Sequence, residues 1–156
     1  MYSNELVCDI LEYIDNNLNS KISIDDFSRK FYFNRFYIMK LFKKEIGVTI
    51  SNYINRLRIY NSLEDIKKSD DYFIKIAIKN GFYSLEYFSE TFNSIMGVSP
   101  SLFKKFSNYS SMIEEDKLNI IRNNLVELHS LVNFVNRYKN NRKPINNPVK
   151  ILSIFR

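Results

Sequence analysis

Asn34-Arg35-Phe36-Tyr37-Ile38-Met39-Lys40-Leu41-Phe42-Lys43-Lys44-Glu45-Ile46-Gly47-Val48-Thr49 is answered, fifty residues later, by Ser84-Leu85-Glu86-Tyr87-Phe88-Ser89-Glu90-Thr91-Phe92-Asn93-Ser94-Ile95-Met96-Gly97-Val98-Ser99. Asn34 has the short acceptor side chain that caps a helix, and Gly47 is the residue that stops one. Ile38, Leu41 and Phe42 set the inward face of the helix between them. The same offset runs outward without a gap: Ile24 meets Ile74, Tyr32 meets Phe82, Phe33 meets Tyr83, Tyr37 meets Tyr87 and Phe42 meets Phe92. Self-similarity at a fixed offset reports architecture. Each copy is a short helix, a tight turn, a second helix of about 12 residues and a glycine stop, the pattern of a helix-turn-helix.

The rest of the chain reads as helix around these two units. Leu6, Val7, Ile10, Leu11, Ile14 and Leu18 form one apolar stripe, predicting a first helix over residues 4–18. Ser23 and Asp26 mark the start of a short helix ending at Phe31. Thr49 caps a longer helix to Lys68, which joins the two units. Residues 74–79, 84–96 and 100–106 give three more, the last with Ser99 as cap and Pro100 in its first turn. Tyr32, Phe42, Phe82, Phe88 and Phe92 are the expected core of the two units. The fold class is therefore all-α, with residues 1–106 holding both units and residues 107–156 adding an amphipathic helix and a basic tail.

Composition narrows the chemistry. The chain has 156 residues, 23 Lys and Arg against 17 Asp and Glu, and a net charge of +6. One histidine, one cysteine and three glycines leave no material for a His-rich metal site, a cysteine zinc cluster or a glycine-rich phosphate loop. No cofactor or metal is expected, and a hydrolase built on carboxylates lacks an identifiable apolar pocket to tune them. No apolar run approaches a membrane span, and neither a signal sequence nor a disulfide framework is present, which points to the cytoplasm. Cys8 reads as a small buried residue and His129 as a surface one.

A duplicated helix pair is by itself only a bundle. What separates this one is charge placement: Phe27 to Lys44 contains six basic residues and no acid. Arg35, Phe36, Met39, Lys40 and Lys43 fall together on the outward side of the second helix of the first unit, mixing cations with apolar groups, and Lys44 follows in the chain. Such a face suits a major-groove reader.

Phe42 to Thr49, Tyr53 and Arg58 in the first half, and Ile74, Ile76-Ala77, Gly81-Phe82, Tyr87-Phe88-Ser89, Phe92, Gly97 and Ser99-Pro100 in the second, resemble the DNA-binding domain of the AraC/XylS family of bacterial transcription regulators over about residues 5–106. The resemblance implies two helix-turn-helix units whose second helices enter successive major grooves of double-stranded DNA, with no enzyme activity. On that reading the outward face makes Arg35, Phe36, Met39 and Lys40 the candidates for base edges, Lys43 and Lys44 for phosphates, and Ser84, Leu85, Glu86 and Ser89 for the second groove. A joining helix of about 18 residues is roughly 27 Å long, and successive groove faces are roughly 34 Å apart, so one rod can set the two readers a turn apart.

Two departures stand out. The first reading helix, residues 34–45, has four basic residues and one acid, whereas residues 84–95 have only Glu86 and Glu90. Family members usually carry a basic residue at the Glu90 position, so the second unit is expected to read more weakly, or to face a protein such as another regulator or RNA polymerase. Beyond residue 106, Ser111 and Glu114 suggest a capping box, and Leu118, Ile121, Leu125, Leu128, Val132 and Val135 follow at heptad spacing. That seam either packs back on the domain or joins two copies as a homodimer. The tail after Tyr138, with Lys139, Arg142, Lys143, Lys150 and Arg156, is open to three readings: a basic extension, a strand over 149–155, or the stub of a longer regulatory segment.

Overall fold

In the computed structural model, which describes residues 3–141, the chain forms eight α-helices and one 3-10 turn with no strand among the described residues. The expected strand over 149–155 and the tail cations Arg142, Lys143, Lys150 and Arg156 lie outside the described residues. The helices are α1 (Ser3–Asn17), α2 (Ile24–Phe31), α3 (Arg35–Ile46), α4 (Ile50–Lys68), α5 (Phe73–Lys79), α6 (Leu85–Met96), α7 (Pro100–Tyr109) and α8 (Glu115–Asn140), with the 3-10 turn Ser110–Met112 before the last.

The caps repeat with the sequence. Asn34 Oδ1 accepts from Phe36 N–H at 2.8 Å and Ser84 Oγ from Tyr87 N–H at 3.1 Å. Thr49 Oγ1 and Ser99 Oγ do the same for Asn52 and Leu102. Each satisfies one of the donors that a helix start leaves unpaired. At α2 the Ser23 N–H donates to Asp26 Oδ2 at 2.8 Å, and that backbone bond, ahead of the Arg29 guanidinium 2.7 Å away, holds the Asp26 carboxyl below its ordinary pKa. The capping box expected at Ser111 and Glu114 does not form. Ser111 is taken up by the 3-10 turn, and α8 starts behind Glu114 with no side-chain cap.

Two cores result, one per unit. Ile38, Phe42 and Ile46 of α3 are buried with α1, Phe27 and the first half of α4. Phe88, Phe92 and Met96, their counterparts on α6, are buried with α5, α7 and the second half of α4, Ile59, Leu63 and Ile66. Helix α4 thus belongs to both. Cys8 is buried in α1, as expected.

Tyr32 is not core: it is 92% exposed, while its partner in the repeat, Phe82, is 2% exposed. The turns explain the difference. In the first unit the left-handed residue that ends the short helix is Tyr32, φ 59°, one residue before Phe33 and two before the Asn34 cap. In the second it is Gly81, φ 88°, with Phe82 and Tyr83 both intervening before Ser84. The extra residue, Phe82, turns into the core, and its role in the first unit falls to half-buried Phe33.

The heptad seam is also spent inside the chain. Leu118, Ile121 and Leu128 are buried, the latter two in the second core, and Val135 is buried in the first, with Leu125 and Val132 half-buried. A helix whose apolar stripe is consumed by its own domain keeps none of those four side chains for a second copy.

Candidate nucleic-acid interface

Arg35, Phe36, Met39, Lys40 and Lys43 recur at i, i+1, i+4, i+5 and i+8, so they share one face of α3, opposite the buried Ile38, Leu41, Phe42 and Ile46. All five, and Lys44 beside them, are exposed, Phe36 at 65% and Met39 at 46%. Arg35 lies 4.9 Å over the Phe36 ring and 3.9 Å from Asp25. Among the described residues Lys40, Lys43 and Lys44 enter no ion pair, so their charge faces solvent. Phe36 and Met39 wall an open recess of about 500 Å³ that Ile22, Phe27 and Ile54 complete. The face thus combines two exposed apolar side chains beside an open recess with four cations.

The second unit presents a different surface. Of its four expected contacts only Glu86 is fully exposed; Ser84, Leu85 and Ser89 are half-buried. The Ser84 oxygen is engaged as the α6 cap, and Leu85 packs on the second core. Glu90 is exposed as well, so the solvent face of α6 carries two carboxylates and no cation.

What joins the two faces was only partly legible. Arg58, half-way along α4, donates through Nε to Leu18 O at 2.9 Å and through Nη2 to Ser20 O at 2.7 Å. Gly81 packs against the same place: a Cβ there would stand 2.4 Å from Leu18 O and 2.8 Å from Arg58 Nε. Asn55 donates to the Tyr87 hydroxyl on α6 at 2.9 Å. Burial lowers the Arg58 pKa, and its two carbonyl acceptors hold the guanidinium in place. Arg58 and Gly81 stood out as spaced motif residues; their meeting across 23 positions needed the fold. Exposed His129 meets the Tyr60 hydroxyl at 3.4 Å. No cluster of three or more metal-ligating side chains occurs, and no helix is long and apolar enough to cross a membrane, among the described residues.

Comparison with known proteins agrees with this architecture. The helix-turn-helix domain family matches residues 27–105. The HTH-type transcriptional activator AarP of Providencia stuartii is 28% identical over 103 residues, covering 66% of this chain and 76% of that protein. Among solved structures, an AraC-type DNA-binding-domain regulator from Chromobacterium violaceum superposes with a TM-score of 0.60 at 20% identity, covering 69% of this chain and 96% of that one. The DNA-binding domain of AdpA, solved with a target DNA, superposes with a TM-score of 0.60 at 15% identity over 67% and 96% of the two chains. With half the chain matched by the family and the duplicated unit intact, the protein belongs to the AraC-type helix-turn-helix family of DNA-binding transcription regulators.

Proposed function

We propose that this chain reads a DNA site through both units, with α3 the dominant reader and α6 the weaker one. The observation that supports this is the exposed face of α3, on which we assign Arg35, Phe36, Met39 and Lys40 to base edges and Lys43 and Lys44 to phosphates. Arginine and lysine supply donors to guanine, and Phe36 and Met39 supply apolar contact to thymine. The carboxylates of α6 oppose a duplex unless they accept from cytosine amino groups, so Glu86 favours a cytosine in the second half-site. The length of α4, 19 residues or about 28 Å at 1.5 Å per residue, suits readers placed one turn apart.

Selection from a random duplex library with the purified chain tests this. The expected product is a non-palindromic consensus with a strongly constrained first half and a looser second half about one helical turn away. A consensus confined to a single short block would remove the second reader.

A second reading is favoured by the same α6 face: Glu86 and Glu90 engage a basic protein surface, such as another regulator or RNA polymerase, while α3 alone holds the DNA. In that case charge reversal at Glu90 leaves the DNA consensus unchanged and abolishes activation in a reconstituted transcription assay.

A further inference from the structure

Helix α8 lies outside the residues matched by the family, and it grips both reading helices at their C-terminal ends. On α6, Asn124 Nδ2 donates to Met96 O at 2.9 Å, occupying a carbonyl that the end of a helix leaves free. Gly97, which follows, lies under the same helix: a Cβ there would stand 2.5 Å from Ile120 Cγ2. Near the other end of α8, the Tyr138 hydroxyl donates to Glu45 Oε2 in the last turn of α3 at 3.0 Å, and Lys139 meets Asp15 of α1 at 2.7 Å. Between these points Ile121 and Leu128 sit in the second core and Val135 in the first.

Building on the two-groove reading, we propose that α8 is a brace that sets the separation and rotation of the two reading helices, so that this chain accepts one spacing between half-sites. Held together by α4 and by the single junction where Gly81 meets Leu18 and Arg58, the two units can still pivot about that point. A second rod, 26 residues and about 39 Å long, fixed to both partners at different points, removes that freedom. The apolar contacts hold α8 down without direction, whereas the Asn124 and Tyr138 bonds are directional and fix its register on α6 and α3. Inserting one base pair moves the second groove by about 3.4 Å and about 35°, a change that a braced pair follows only by breaking these contacts.

The test uses the full chain, its selected duplex, and duplexes with one or two base pairs inserted between the half-sites, at fixed salt. The wild type should lose about tenfold or more in affinity per inserted base pair, comparable to a mismatched position. Asn124→Ala with Tyr138→Phe, which removes both directional anchors and keeps the aromatic ring, should lose less than about threefold per insertion. Val135→Ser, which loosens the far end of α8, should flatten the preference in the same way. Retention of the wild-type spacing preference by both variants, each checked as folded by circular dichroism, overturns the brace. A wild type that prefers its sequence but ignores spacing overturns the brace alone, and one that prefers no duplex overturns the two-groove reading with it.

Discussion

Lys40 and Glu86 occupy exposed positions on α3 and α6 with opposite charge, and their alanine variants measure how unequally those helices contribute to DNA binding. Lys40→Ala should cost about 1 to 3 kcal/mol of binding if the ammonium reads a base, while Glu86→Ala should cost less or tighten binding; equilibrium titration on the selected duplex separates these outcomes. Asp26 makes a prediction about stability. Its folded pKa lies below 3.8 because its carboxylate accepts from Ser23 N–H and meets Arg29. A depressed carboxyl stabilises the fold fully above the unfolded pKa, and that contribution disappears as pH falls through the folded one. The melting-temperature gap between wild type and Asp26→Asn should therefore be constant above about pH 5 and close below about pH 4, and a gap that ignores pH would remove the capping role. Tyr32 shows where residue-level reading stops: alignment with Phe82 put it in the core, but which side of a turn a side chain takes depends on backbone dihedrals, and φ 59° at Tyr32 sends it to solvent.

At the scale of elements, the junction of α1, α4 and the turn after α5 is the point where one local change reaches both units. Arg58→Met leaves the Leu18 and Ser20 carbonyls without their charged donor and should cost about 2 to 4 kcal/mol. Gly81→Ala combines a left-handed backbone with a Cβ at 2.4 Å from a main-chain oxygen, which should cost about 2 kcal/mol or more. Urea unfolding measures each, and because both strike the Leu18 carbonyl region, the double variant should lose less than the sum. An additive result would mean that the two contacts stabilise different parts of the molecule. Helix identities and caps were legible here because each rests on neighbours in sequence. The junction itself was not, since nothing within a few residues of Arg58 shows that its partners lie 38 and 40 positions away.

For the whole molecule, charge sets the outer behaviour. With about 4 to 6 phosphate contacts, log affinity for duplex DNA should fall against log salt with a slope of roughly −4 to −5. Lys139 already pairs with Asp15, and α8 runs to Asn140, so a test of the tail has to remove residues 142–156 and leave the helix whole. That truncation should lower affinity on all duplexes alike and flatten the slope, while target preference survives, because tail cations address backbone and not base edges. Loss of target preference on truncation would place base readout in the tail.

The amino-acid order alone determined the caps of α2, α3, α4 and α7, the glycine stops and the contrast between a basic α3 and an acidic α6, because each is a short-range property: a side chain accepting from the next turn, a residue type tolerating a backbone angle, a charge on a periodic face. Tertiary structure decided what those features are used for. The 118–135 seam had the spacing of a dimer helix, and only packing showed that Ile121, Leu128 and Val135 fill the chain's own two cores. Apolar burial has no address written into it: a stripe of leucines and isoleucines is satisfied by whichever apolar surface reaches it first, and here both cores lie along α8, within reach of one helix.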